Sequence, residues 1–79
     1  MAFYIKIRKT FEDDNVAKYS FGSDEKSAGS LTIRKLDGEV TLLEPLAGDE
    51  RNLFFHRAGA RVRKEWKEGR FPDMTEWAS

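Results

Sequence analysis

The chain holds one histidine, His56, and no cysteine, so thiol catalysis, disulfides and cysteine-based zinc or iron–sulfur centres are excluded. A lone imidazole needs a partner to act as a general base or a metal ligand. On a helix His56 would lie about 100° around from Phe55, sharing its side with Asn52 and Arg63. No carboxylate stands at a spacing that would orient the ring, and no glycine-flanked serine offers a nucleophile. The acidic run Glu12-Asp13-Asp14 lacks the ligand ladder of a calcium loop and reads as a solvated turn. The residue types therefore point away from an enzyme and imply no cofactor and no metal.

Cationic and aromatic side chains remain as candidates for recognition. Lysine plus arginine equal aspartate plus glutamate at 14 each, but the charge is segregated along the chain. Residues 1–50 hold seven cations against ten acids, residues 51–70 seven against two, and residues 71–79 none against two. Two groups stand out. Tyr4, Lys6, Arg8, Lys18 and Arg34 fall on one phase of a two-residue period, and cations beside an aromatic ring suit a polyanion or an acidic partner. Arg57, Arg61 and Lys64, with Arg63, Lys67 and Arg70 nearby, would put a dense guanidinium surface on a helix. The commoner origin of each pattern is a solvated face, on the sheet because long charged stems cover the pleat, and on the helix because basic residues near its C-terminus oppose the dipole.

The elements that must position these groups follow from periodicity. Phe3, Ile5, Ile7 and in the same phase Phe11 alternate with polar residues as a first strand. Ala17, Tyr19 and Phe21 form a second beyond the Glu12–Asn15 turn. Gly22–Gly29 reads as a mobile loop. The run Leu31–Leu43, hinged on Asp37-Gly38, predicts a hairpin with a two-residue type I′ turn that sets Ile33 opposite Leu42 and Arg34 opposite Thr41. Pro45 closes the fourth strand. Asp49 reads as a helix N-cap, with the helix running from Glu50 on an apolar stripe of Phe55, Ala58, Gly59, Val62 and Trp66, opposite Arg57, Arg61, Lys64 and Glu68. Gly69 and Pro72 end it. Asp73 and Glu76 resemble a capping box for one short turn carrying Met74 and Trp77.

The expected fold is α+β: a four-stranded antiparallel meander with one C-terminal helix packed on one face (ββββα), a single domain over residues 1–79. The helix would cover Phe3, Ile5, Ile7, Tyr19, Phe21, Leu31, Ile33, Val40 and Leu42. Tyr4, Lys6, Arg8, Lys18, Thr32, Arg34, Thr41 and Leu43 would occupy the open face. Two Trp, two Tyr and six Phe supply large buried areas to a chain too short for an extensive core. Phe71, Met74 and Trp77 are expected to fold back over the open end of that core, the alternative being an anchor for a partner groove.

The layout Phe-Tyr-Ile-Lys-Ile-Arg near the start, Asp-Gly-Glu-Val-Thr-Leu-Leu in the middle and Phe-Pro-Asp-Met-Thr-Glu-Trp-Ala-Ser at the end resembles small uncharacterised bacterial proteins that finish in Trp-Ala-Ser. The resemblance spans most of the chain. It implies a shared small fold in a bacterial cytoplasmic protein, and it carries over no catalytic or binding residue. Charges at Lys6 and Arg8 interrupt the first apolar stretch, so a signal peptide or membrane span is not expected and a cytoplasmic location is. The function expected from these residues is a small non-enzymatic module that binds another protein; the alternative is a nucleic-acid-binding domain using the basic sheet face or the basic helix. Like charges on the open face favour a monomer.

Overall fold

The computed structural model describes residues 4–23 and 27–78. Among these, the chain forms β1 (Tyr4–Glu12), β2 (Val16–Gly22), β3 (Gly29–Arg34), β4 (Val40–Glu44), α1 (Leu53–Lys67) and β5 (Met74–Ala78). The five strands make one sheet of order β4-β3-β2-β1-β5, antiparallel throughout. The α+β class, the meander of the first four strands and the helix after them agree with the sequence reading. The fifth strand corrects it. The segment expected as a capped turn is extended and pairs with β1, setting Ile5 opposite Trp77 and Ile7 opposite Thr75. The architecture is therefore ββββαβ, with α1 leading from the β4 edge to a strand on the opposite edge. The expected loop is shorter than predicted, since Gly22 ends β2 and Gly29 begins β3. Its residues 24–26, like Phe3, lie outside the described residues.

The core lies between the sheet and α1. Ile5, Ile7, Ala17, Tyr19, Phe21, Leu31 and Ile33 from the sheet meet Ala58 and Val62 from the helix, with Leu46 closing one end. Val40, Leu42, Phe54, Phe55, Trp66, Phe71 and Trp77 pack around it, half-buried. Phe71 and Trp77 are thus docked against the core, whereas Met74 is 64% exposed.

Two local irregularities change what the alternation implied. In β1 the pairing passes from Lys9–Tyr19 to Phe11–Lys18, so Thr10 is an extra residue in a bulge. The bulge moves Phe11 from the core phase to the open face, where it is 52% exposed. In the β3–β4 hairpin Leu31, not Ile33, stands opposite Leu42, and Ile33 faces Val40. The turn is correspondingly longer: Arg34 donates its N–H to Glu39 O at 2.9 Å and Gly38 donates to Arg34 O at 2.7 Å. Asp37 is drawn out of a two-residue turn because its carboxylate accepts from Arg34 Nε at 3.0 Å, Arg34 Nη2 at 2.6 Å and the Glu39 N–H at 3.0 Å. A slip of two residues keeps each side chain on its face, so the predicted faces survive the wrong register over residues 31–33 and 40–42.

The helix also begins later than predicted. Asn52, at φ 55°, is the N-cap residue and makes no side-chain cap hydrogen bond. Asp49 does the capping from further back, its two carboxylate oxygens accepting the N–H groups of Leu53 at 3.0 Å and Phe54 at 2.9 Å. At the other end Gly69, at φ 76°, donates to Trp66 O and Arg70 donates to Glu65 O, each at 2.9 Å. This pair of bonds is the Schellman ending that a glycine in the left-handed region permits.

Candidate functional site

With α1 on one side of the sheet, the other side carries the outward residues of every strand. Along β1 these are Tyr4, Lys6 and Arg8. Across the β5 boundary they meet Ala78, Glu76 and Met74, and across the β2 boundary Lys6 meets Gly22 and Arg8 meets Ser20. Gly22 and Ser20 are too small to fill the space beside two long cationic side chains, and the result is a concavity of about 610 Å³ over β2, β1 and β5, with Ala28 on its border. Tyr4 donates its hydroxyl to Glu76 Oε2 at 2.5 Å. That bond, with some burial and the glutamate charge, raises the tyrosine pKa above its ordinary value of 10.0.

Three of the five sheet-face candidates, Tyr4, Lys6 and Arg8, therefore line one concavity. Lys18 stands one row away, between Thr32 and Phe11. Arg34 is remote from it at the far end of β3 and is engaged by Asp37 and Glu39. Lys6, Arg8 and Lys18 form no ion pair with another described residue.

The helix candidates are placed differently from the sequence reading. Arg57 and Arg61 do not point away from the packed surface; both reach β5. The Arg57 guanidinium lies 4.8 Å from the centre of the Trp77 ring. Arg61 donates Nε–H to Thr75 Oγ1 at 3.1 Å and pairs through Nη2 with Glu65 at 3.1 Å. Glu65, only 5% exposed, is also held by Arg70 at 3.2 Å, and Arg70 pairs with Glu68. Lys64 is exposed. Arg57 and Arg61 thus fasten the helix to the final strand, and the added strand is the physical reason: it extends the sheet beneath side chains that a four-stranded sheet would have left in water.

Sequence reasoning missed a second charged cluster at the other end of β1. Lys9 Nζ meets Glu12 Oε1 at 2.5 Å, Phe71 O at 2.9 Å and Asp73 Oδ1 at 3.3 Å. Glu12 Oε2 meets Lys35 Nζ at 2.6 Å, and that ammonium sits 4.8 Å from the centre of the Phe71 ring. The Lys35 and Lys9 contacts hold the Glu12 pKa below its ordinary range. Beneath the cluster the buried Tyr19 hydroxyl donates to Pro72 O at 3.0 Å, and burial pushes its pKa up to about 12. The signal that was available is Lys9 itself, a cation in the core phase of β1. The cluster pins the connection between α1 and β5, and its carboxylates are spent on that task.

His56 is exposed beside Phe55, with ring centres 5.3 Å apart, and no group of three metal-capable side chains occurs among the described residues. A smaller hollow of about 280 Å³ lies between Ser23, Ser27, Leu46, Gly48, Asp49 and Phe54; its one carboxylate is the Asp49 side chain that caps α1. No described helix is long and apolar enough to cross a membrane. Comparison with protein-family models, curated proteins and solved structures gave no match.

Proposed function

We propose that the chain is a small non-enzymatic module, monomeric and cytoplasmic, that binds another protein through the open face of its sheet. The observation that carries this reading is the concavity over β2, β1 and β5, where Lys6 and Arg8, without an ion pair to a described residue, adjoin the exposed side chain of Met74. Cationic and apolar groups side by side suit a protein surface, whose binding centre joins an apolar anchor to a polar rim. A photo-reactive amino acid placed at Met74, and separately at Lys64 on the helix, tests it in cells. Discrete adducts with one protein from position 74 and none from position 64 are expected; adducts only from the helix position would overturn the assignment of the face.

Nucleic acid is the second reading, favoured by the same two cations with Lys18 and Tyr4. It requires binding that falls steeply with salt. Retention of a single-stranded oligonucleotide at low salt, lost in the Lys6→Ala/Arg8→Ala/Lys18→Ala variant, would establish it in place of the first.

A further inference from the structure

We infer that the occupant of the open face is an extended acidic segment of a protein partner, with carboxylates at alternate positions set against Lys6 and Arg8. The inference rests on the protein-binding reading and gives its occupant a chemistry.

Lys6 and Arg8 alternate on β1 and so project to the same side about 7 Å apart, the two-residue repeat of a strand. An extended peptide has the same repeat, so acidic side chains two positions apart match both cations at once. The approach is open because the β2 residues in register with them are Gly22 and Ser20. Glu76 is opposite Lys6 in register, yet its carboxylate accepts the Tyr4 hydroxyl and forms no ion pair with Lys6, so the cation's charge is left for a ligand. Met74, opposite Arg8, is 64% exposed and offers a deformable apolar contact to a residue between or beside the acidic ones.

The same layout disfavours a nucleic acid. Binding a single strand relies on aromatic rings on which successive bases stack, and among the described residues lining the concavity only Tyr4 exposes one. A peptide can place its carboxylates only where the cations are.

A library of short random peptides, selected on the full chain and counter-selected on the Lys6→Glu/Arg8→Glu variant, tests the inference. Peptides with Asp or Glu at alternate positions are expected, shifting backbone amide signals of β1, β2 and β5. The charge reversal should weaken them about tenfold or more, and added salt should weaken them too. Lys6→Ala/Arg8→Ala, which removes the cations without setting a new carboxylate beside Glu76, serves as the second variant if the reversed pair disturbs folding. Neutral or basic peptides bound at the same face would overturn the acidic occupant and leave the protein-binding reading intact. Peptides that map only to the helix, or no peptide that binds this face, would overturn both. A mixed-sequence single-stranded oligonucleotide that shifts the same amides and displaces the peptides, with a steeper salt dependence, would replace the peptide with a nucleic acid.

Discussion

Gly38 carries two constraints, of which Gly69 shares only one. Both have φ above 70°, where a side chain costs about 1 to 2 kcal/mol. At Gly69 a Cβ would meet nothing within 4 Å, whereas at Gly38 it would lie 2.6 Å from the Trp66 ring. That ring is itself tied to the turn, its indole N–H donating to Lys35 O at 2.8 Å. Gly69→Ala should therefore cost only the backbone penalty, while Gly38→Ala adds overpacking and should cost about 2 to 4 kcal/mol. Urea unfolding of the two variants checks this, and equal losses would mean that Trp66 does not press on the turn. In the same turn Asp37 provides a pH readout. Its pKa falls from the ordinary 3.8 to about 2, foremost through the Arg34 hydrogen bond and then the Glu39 N–H. The unfolded chain therefore takes up the proton first, so stability is present above about pH 4 and declines as pH falls toward 2. Glu12 and Asp13, also lowered, act in the same direction. Urea midpoints measured from pH 5 to pH 2 should fall, and Asp37→Asn should flatten part of that fall.

At the scale of elements, the fifth strand is what the sequence concealed, and its composition explains why. Asp73 and Glu76 have capping-box spacing, and Met74–Ala78 is too short for alternation to outweigh it. Its two inward residues, Thr75 and Trp77, become recognisable only once Ile7 and Ile5 are known to need neighbours on that side. The first four strands were legible because each carries several apolar residues in one phase, and the helix because its stripe runs from Phe55 to Trp66. The sheet-face site was half legible: alternation placed Tyr4, Lys6 and Arg8 together, but it grouped the remote Arg34 with them and could not foresee Glu76 and Met74 beside them. Trp77 anchors the strand, packing on the core beneath Arg57. Trp77→Ala should destabilise by about 2 to 3 kcal/mol, somewhat under the loss for a fully buried tryptophan. NMR contacts linking Ile5 to Trp77 and Ile7 to Thr75 should be present in the wild type and weakened in this variant. A helical signature at 73–77 would refute the strand.

For the whole molecule, the question is whether an open face and two edges drive self-association. β4 and β5 are the edges, and each has a feature that discourages edge pairing. β4 carries Leu43 as an extra residue between the Leu42 and Glu44 pairings, and such a bulge disrupts a flat edge. β5 has Glu76 at its centre, so two copies paired antiparallel about their midpoints would bring like charges together. A two-fold contact through the open face would likewise confront Lys6, Arg8 and Lys18 with their own copies. The chain should therefore sediment at its monomer mass of 9.1 kDa at micromolar concentration. Salt then separates self-association from partner binding. Screening weakens repulsion between copies, so any dimer formed at higher concentration through this face should strengthen as salt is added, whereas an acidic partner held by Lys6 and Arg8 should be released. A tight dimer at micromolar concentration, insensitive to salt, would reverse the argument and direct attention to an apolar contact through Met74 and Phe11.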